Sequence, residues 1–378
     1  MRVFYAVHNE TNNDVNFLGG LRQAGADVVR FGEMPPFHVV LGPDWTVSDR
    51  ERTSDKLLAA VRSEHARRPL DLFFSYIADP FLLPDAIREI RRLGIITVNY
   101  WCNSFNQFSI VRETSPAFDF VAVAEWDCLQ RYRDIGANPV YMQMGADPNV
   151  YRPYDLPHEY DVTFAGQRYG ERPGYVAFLL RHGVDVRVWG PGWTKDRTYG
   201  EKAPRYPLRY FIRHSRSGAR RFLTSVRGIA ERSLDVPPWD ELRLRARAGP
   251  SLPLGSLVAL YSRSRISLNF SRVADVHASR RQLQIRMRDF EGPMSRAFYM
   301  TEYMPELESF YEIDKEIVCY RSRDDLLDRV RYYLSHPEKA ERIRHAGCRR
   351  AQRDHTWRQR FIGLFRTIAP ELASEVRT

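Results

Sequence analysis

The sequence predicts an α/β protein built from two doubly wound parallel sheets, one in each half of the chain. Short apolar runs alternate with stretches of helical spacing almost throughout, which is the pattern of repeated β-α-β units. The alternation stops at a loop rich in Gly, Asp and Pro near residue 148 and then begins again. The chain has 378 residues, of which 43% are hydrophobic, so it is long and apolar enough for two cores.

The N-terminal half contains six apolar runs of strand length. We predict strands at residues 3–7, 27–31, 70–75, 95–100, 118–124 and 140–144. Helical spacing predicts helices at residues 16–24, 84–93 and 126–135. Gly94 and Gly136 follow the last two helices directly, and glycine commonly stands where a helix ends. Repeated β-α-β units favour a parallel sheet.

The C-terminal half repeats this order. Strands are predicted at residues 160–165, 184–189, 266–270, 298–301 and 316–320. Helices are predicted at residues 173–182, 257–262, 322–335, 337–354 and 356–376, with a mixed pattern at 287–297. Pro173 falls in a first helical turn, where its missing N–H costs nothing.

These elements divide the chain into two Rossmann-like domains. We predict an N-terminal domain at residues 1–148, a C-terminal domain at 149–355, and a final helix within 356–378 that packs back toward the N-terminal domain. An Arg-rich insertion at about residues 194–250 interrupts the second domain. Ligands bind at the carboxyl ends of the strands in such sheets, so the cleft between two facing domains is the expected site.

The composition disfavours several other kinds of protein. No apolar run approaches the ~20 residues of a membrane-spanning helix. The N-terminus has the pattern of a first strand rather than of a signal peptide, so we expect a cytoplasmic protein. The four cysteines form no close pair, and no Asp-x-Asp follows a strand, so neither a disulfide framework nor a metal site is expected.

Positive charge is concentrated in the insertion. The whole chain has a net charge of +10, and the segment 195–247 has 14 Lys or Arg against 6 Asp or Glu, a net charge of +8. With its aromatic residues, the insertion could bind an anionic acceptor or lie peripherally on the inner face of a membrane; nucleic acid is the least favoured partner. The alternative is that the insertion is a solvated helical hairpin with no binding role, and the sequence favours this alternative as much as all the binding roles together.

Several short motifs resemble one family when they are taken in order. They lie between about residues 145 and 365, at 160–167, 188–193, 266–270, 288–292 and 355–357. Together they resemble the CgeB-like branch of the GT-B glycosyltransferases, which are relatives of the family-4-type retaining glycosyltransferases. The resemblance implies two Rossmann-like domains facing across a cleft. It also implies metal-independent, retaining transfer of a sugar, with the nucleotide-sugar as a substrate and with no cofactor.

The resemblance also assigns donor-binding residues in the C-terminal domain. The diphosphate of a nucleotide-sugar leaves with negative charge and needs cations aimed at it. Arg172 matches the second member of a basic pair, and Gln167 stands where relatives usually have Arg. Glu291 matches a carboxylate that accepts hydrogen bonds from the ribose hydroxyls of the nucleotide. The full set expected at the donor is Gln167, Arg168, Arg172, Asn269, Arg286, Arg288, Glu291 and Glu302.

Two members of this set have an alternative interpretation. Asn269 ends a buried strand and could either face the donor or cap the following loop. Glu302 follows a strand and could equally be a solvent-exposed loop acid.

The N-terminal domain supplies the expected acceptor side and the catalytic candidates. The loop after the first strand is densely polar, and the resemblance places it at the sugar or acceptor. Glu10 and Asp14 are base candidates for an inverting mechanism, and Asn103 replaces Asp in a Trp-x-Asp-Ser stretch of the relatives. Acceptor-side residues are expected at His8, Asn12, Asn16, Gly19, Gly20 and Glu125.

The sequence therefore predicts a glycosyltransferase that moves a sugar from a nucleotide-sugar to an acceptor hydroxyl. The acceptor could be a glycan, a lipid-linked molecule or a small molecule. The alternative is a non-catalytic nucleotide-sugar or glycan-binding protein on the same scaffold. It arises because Gln167 and Leu283 stand where the relatives have Arg and a second Glu. A third hypothesis is a GT-B-shaped epimerase or phosphorylase. A phosphorylase is disfavoured, since no lysine of the second domain stands in a convincing cofactor site.

Overall fold

The structure is a computed structural model that describes residues 1–8, 13–194, 236–273 and 282–373. It divides into two compact units, one made of Met1–Asp147 with Thr356–Thr378 and the other of Pro148–His355. No helix within the described ranges combines the length and the apolar character needed to cross a membrane.

The first unit contains a parallel sheet of six strands among its described residues, in the order β2-β1-β3-β4-β5-β6. They are β1 (Arg2–Val7), β2 (Asp27–Arg30), β3 (Leu72–Tyr76), β4 (Ile96–Trp101), β5 (Phe120–Val123) and β6 (Pro139–Tyr141). Its helices are α1 (Gly19–Gln23), α2 (Phe37–Val40), α3 (Val47–Arg67), α4 (Pro84–Arg92), α5 (Ser104–Gln107) and α6 (Leu129–Arg133). Every residue of β1 is buried, as expected for a strand covered on both faces.

The second unit repeats this design, with the strand order β12-β11-β10-β7-β8-β9 in its described part. The strands are β7 (Tyr160–Ala165), β8 (Val186–Trp189), β9 (Ala248–Gly249), β10 (Ser264–Leu268), β11 (Tyr299–Glu302) and β12 (Val318–Tyr320). The helices are α7 (Arg172–Arg181), α8 (Pro238–Ala246), α9 (Leu254–Arg263), α10 (Arg288–Met294), α11 (Arg323–Ser335) and α12 (Pro337–Asp354). The prediction of two doubly wound parallel sheets is therefore confirmed.

Each sheet has a point at which the direction of strand addition reverses. In the first unit β1 leads outward to β2, and β3 then pairs with the other side of β1. In the second unit β7 leads to β8 and β9, and β10 then pairs with the other side of β7. The loops that follow these central strands diverge and leave a crevice, which is the usual ligand site of an open parallel sheet.

The C-terminal helices belong to the first unit. They are α13 (Trp357–Ile368) and α14 (Pro370–Ala373). Gly20 of α1 lies so close to α13 that a β-carbon there would stand 2.5 Å from the β-carbon of Trp357. Gly20 therefore permits two helices to pack closely, which explains its presence without a ligand.

Several elements differ from the sequence prediction, and two of the differences have a clear physical reason. The final helix was predicted to continue to residue 376, but α13 ends at Ile368 because Ala369 leaves the helical conformation before Pro370. Helix α3 was not predicted at all. It is largely charged, and its buried residues are only Ser54, Leu57 and Val61, so its apolar stripe is too sparse for periodicity to reveal.

Candidate functional site

A narrow pocket opens at the carboxyl ends of three neighbouring strands of the second unit. The strands are β7, β10 and β11, so the pocket lies at the point where strand addition reverses. Its walls include Tyr169, Arg172, Tyr175, Phe270, Arg272 and Glu302. Two of the residues predicted to bind the donor, Arg172 and Glu302, therefore line one crevice.

Arg172 is held rigidly at the first position of α7. Its guanidinium donates to the carbonyl oxygens of Gln167 at 2.8 Å and Phe270 at 3.1 Å, and to the hydroxyl of Tyr169 at 2.7 Å. It also lies 3.8 Å from the centre of the Tyr169 ring, within the range of a cation–π interaction. These contacts tie together the loops after β7 and β10.

The positive charge of Arg172 is not neutralised by these contacts. All its hydrogen-bond acceptors among the described residues are uncharged oxygens, and its Nε atom has no partner there. Burial lowers the pKa of Arg172 to about 10, and the nearby charges of Arg286 and Arg288 act in the same direction. Three arginines thus form a cationic cluster, defined here as Arg172, Arg286 and Arg288, whose charge favours an anionic ligand.

Glu291 and Arg288 lie together in the first turn of α10. Burial raises the pKa of Glu291, whereas Arg288 and a hydrogen bond from Tyr151 act against this rise. Burial alone would lower the pKa of Arg288. The nearby Tyr261 and Glu291 outweigh the effect of burial, so the pKa of Arg288 is raised. Glu291 is therefore a buried carboxyl near the guanidinium of Arg288 and the phenols of Tyr151 and Tyr261. It lies at the start of a helix, where hydroxyl groups of a ligand could donate hydrogen bonds to it.

Asp289, which the sequence analysis did not single out, connects the parts of this site. It is fully buried and accepts hydrogen bonds from the Arg286 N–H at 2.6 Å, the Tyr299 hydroxyl at 2.9 Å and the Asn269 amide at 3.2 Å. Burial raises the pKa of Asp289 to about 6, although the bonds from Arg286, Tyr299 and Thr301 oppose the rise. Asp289 thus fixes the backbone that presents Arg286 and Arg288.

The raised pKa of Asp289 predicts a pH dependence of stability. The unfolded carboxyl has a pKa of 3.8 and the folded one of about 6, so the folded state binds more protons between these values. The contribution of Asp289 is therefore complete below pH 3.8 and is lost as the pH rises through 6. We compare the free energy of unfolding of the wild type with that of Asp289→Asn. The wild-type value relative to the variant should fall by on the order of 3 kcal/mol as the pH rises between these two pKa values. Denaturant unfolding at a series of pH values measures the difference, and a pH-independent difference would contradict the expectation.

The structure separates Arg168 from the cationic cluster. Its guanidinium forms two hydrogen bonds with the carboxylate of Glu241, at 2.9 and 2.6 Å. The bonds from Arg168 hold the pKa of Glu241 down at about 2. Arg168 was expected among the donor-binding residues, but in the structure its guanidinium is already paired with Glu241.

The other predicted donor residues occupy different environments. Asn269 is buried and its amide donates to Asp289 and to the Thr301 hydroxyl, so the structure favours the internal role. The side chain of Gln167 is exposed, and only its carbonyl contacts Arg172. Glu302 is 4% exposed, which excludes the alternative of a solvent-exposed loop acid. Arg286 donates to the carbonyl of Arg272 at 3.1 Å.

In the first unit, the residues predicted for the acceptor side are engaged in local packing. Asp14 forms a 2.7 Å ion pair with Arg30, so it does not have the free carboxylate expected of a general base. His8 is buried among aromatic rings. Asn16 is also buried, and a β-carbon at Gly19 would stand 3.1 Å from the Asp147 carboxylate. Glu10 and Asn12 lie outside the described residues.

The ends of two neighbouring strands, β4 and β5, meet in the first unit. The carboxylate of Glu125, after β5, accepts hydrogen bonds from the backbone N–H and the hydroxyl of Ser104, after β4, both at 2.9 Å. Asn103 precedes Ser104, and its amide is 3.7 Å from the Cys102 sulfur. Glu125 therefore stabilises the start of α5 beside Asn103.

Within the described ranges, no cluster of three or more His, Cys, Asp or Glu residues is arranged to hold a metal ion.

Comparison with protein families gives one match that covers just over half of the chain. Residues 172–365 match the family model described as glycosyl transferase-like. This range begins at the buried arginine of α7 and contains the whole cationic cluster and Glu291. No curated protein gives a significant match.

Solved structures resemble the chain over nearly its whole length. A sucrose-phosphate synthase from Thermosynechococcus elongatus has a TM-score of 0.59 at 12% identity, covering 99% of this chain and 100% of that one. HepE from Anabaena, solved with UDP and glucose, has a TM-score of 0.57 at 10% identity, with 99% and 100% covered. A glycosyltransferase from Rickettsia africae has a TM-score of 0.55 at 11% identity, with 100% and 98% covered. Identities this low show the fold alone, and that fold is the predicted GT-B class.

Proposed function

Because this chain belongs to the glycosyl transferase-like family, we propose that it transfers a sugar from a nucleotide-sugar donor to an acceptor hydroxyl. The single observation that carries the proposal is the cationic cluster at the carboxyl ends of β7 and β10, in which Arg172 is buried and Arg286 and Arg288 are partly buried. A nucleoside diphosphate is the anion that a glycosyltransferase must hold and release. A fixed cluster of guanidinium groups stabilises the negative charge that develops on this leaving group.

Glu291 is proposed to accept hydrogen bonds from the ribose hydroxyls of the donor. Its buried position beside Arg288 suits a polar ligand group that can donate to a carboxyl oxygen. The neighbour HepE has been solved with UDP, and also with UDP-glucose, which makes uridine nucleotides the first candidates. The cationic cluster would then hold the diphosphate and Glu291 the ribose of one nucleotide.

The role of Glu291 can be tested by a ligand–mutant cycle. The wild type should bind a ribonucleoside diphosphate about tenfold more tightly than its 2′-deoxy analogue, since one hydrogen bond to a carboxyl is lost. Glu291→Ala should bind both weakly and without this preference, whereas the exposed Glu308→Ala should behave as the wild type. Isothermal titration calorimetry measures all six affinities. A preference that survives in Glu291→Ala would refute the ribose assignment.

The finer features of the reaction are also part of the proposal. We propose a retaining, metal-independent transfer without a cofactor, to a glycan, a lipid-linked molecule or a small molecule in the cytoplasm. Retention is proposed because the motifs of the C-terminal domain resemble those of the family-4-type retaining glycosyltransferases. Peripheral membrane contact through residues 194–250 agrees with the charge of that segment.

A thermal-shift screen with UDP, GDP, dTDP, ADP and CMP tests the proposal at its nucleotide end. At least one nucleoside diphosphate should raise the melting temperature, because a ligand that binds the native state stabilises it. Hydrolysis of the matching nucleotide-sugar without an acceptor would then support transfer. Tight nucleotide binding with no turnover of any donor would favour the non-catalytic nucleotide-sugar-binding protein, and binding of no nucleotide would refute the proposed transfer.

A further inference from the structure

An ion pair lies at the mouth of the pocket in the second unit. The guanidinium of Arg272 is paired with the carboxylate of Glu171, and both residues line the pocket. Their side chains are 36% and 30% exposed, whereas Arg172 and Glu302 of the same pocket are buried. The pair therefore lies where a ligand would enter, outside the buried part of the pocket.

The backbone of Arg272 is fixed, although its side chain reaches the surface. Its carbonyl oxygen accepts a hydrogen bond from the guanidinium of Arg286 at 3.1 Å. The backbone N–H of the next residue, Val273, donates to the carbonyl oxygen of Gln282 at 2.9 Å. The guanidinium of Arg272 could therefore exchange the Glu171 carboxylate for another anion by a rotation of its side chain alone.

A phosphate is well suited to make this exchange. Ion pairs that water reaches are weak, because water screens the charges and holding two long side chains together costs entropy. A diphosphate carries more negative charge than one carboxylate, and its oxygens accept paired hydrogen bonds from a guanidinium. Glu171 also directly precedes α7, so its carboxylate lies at a helix N-terminus, where a phosphate would be stabilised as well.

We propose that Arg272 is a further cation for the diphosphate of the donor, and that Glu171 competes with the diphosphate for it. Without nucleotide, Arg272 is paired with Glu171. When a nucleotide binds, the guanidinium leaves the carboxylate and donates to phosphate oxygens. The competition weakens nucleotide binding and so favours departure of the nucleoside diphosphate after transfer. The role of Arg272 rests on the proposed function, because it assigns the diphosphate to the same pocket.

A double-mutant cycle on nucleotide affinity tests the proposal. The probe is whichever of UDP, GDP, dTDP and ADP raises the melting temperature most, and calorimetric titration measures its dissociation constant. Arg272→Met should bind it about tenfold more weakly, since a charge-assisted contact is lost. Glu171→Gln should bind it about two- to fivefold more tightly, because the competing carboxylate has lost its charge. The double variant should bind as weakly as Arg272→Met.

A second ion pair of the same unit provides the matched control. Arg263 and Glu159 form a 3.2 Å pair with side chains that are 40% and 41% exposed. Glu159 directly precedes β7, so this pair lies at the opposite edge of the sheet from the pocket. Arg263→Met and Glu159→Gln should each bind the nucleotide as the wild type does.

Three results would overturn the proposal. Wild-type affinity in Arg272→Met would show that this guanidinium does not reach the nucleotide. Unchanged or weaker binding by Glu171→Gln would show that the ion pair does not compete with it. An equal gain from Glu171→Gln with and without Arg272 would show that the carboxylate repels the nucleotide directly. Each of these leaves the proposed function standing, whereas a wild type that binds none of the four diphosphates would refute the proposed function as well.

Discussion

Replacing Arg172 by methionine should lower kcat/KM for the nucleotide-sugar by about 100- to 1,000-fold, the usual cost of removing one preorganised charge from a leaving group. Methionine keeps an apolar stem against the rings of Tyr169 and Phe164 but supplies no positive charge. The loss should appear in kcat as well as in KM, because the charge on the diphosphate grows during departure. Steady-state kinetics of donor hydrolysis or transfer measures both.

Two further variants make the Arg172 result specific. Arg172→Lys keeps the charge but loses the planar fork that joins Gln167, Tyr169 and Phe270, so we expect an intermediate loss. Arg331→Met, on α11, removes an exposed arginine outside the pocket and should change kcat/KM only slightly. If Arg172→Met and Arg331→Met gave the same kinetics, the cationic cluster would have no role in catalysis.

Replacing Asp289 by alanine should destabilise the second unit by about 3 kcal/mol or more, because buried donors that lose their acceptor each cost about 1–3 kcal/mol. The donors are the Arg286 N–H, the Tyr299 hydroxyl and the Asn269 amide. Nucleotide affinity should fall in parallel, because the loop that carries Arg286 and Arg288 loses its support. Denaturant unfolding gives the stability, and calorimetric titration gives the affinity.

Asp325→Ala is the matched control for Asp289. The carboxylate of Asp325 also accepts a backbone N–H at a helix start, from Arg321 at 2.8 Å, but it is partly exposed. Its removal should cost about 1 kcal/mol and leave nucleotide affinity unchanged. An Asp289→Ala protein as stable as Asp325→Ala would show that Asp289 does not hold the site together.

The fold was largely predictable because buried parallel strands are continuous apolar runs. Such runs stand out from a chain in which 28% of residues are charged. Helix α3 escaped detection because it shields the sheet with few apolar residues. A capping box joins Thr46 and Asp49 at its start, and this local signal could have revealed the helix.

The candidate site was predictable where a residue acts through a local motif. Glu291 and Arg288 share one helical turn, so their proximity follows from their spacing. The difference between Arg168 and Arg172 did not follow from spacing, because the partner of Arg168 is Glu241, 73 positions later. Asp289 was overlooked for a related reason, since two of its partners, Asn269 and Tyr299, come from separate segments that only the folded sheet brings together.

The central claim is that the cationic cluster binds the diphosphate of a nucleotide. The most direct measurement is calorimetric titration of the wild type and Arg172→Met with a nucleoside diphosphate and the corresponding monophosphate, using the base that gives the largest thermal shift. The wild type should prefer the diphosphate by about tenfold or more, and Arg172→Met should lose most of that preference, because the lost contact is charge-assisted. An equal preference in both proteins would contradict the claim.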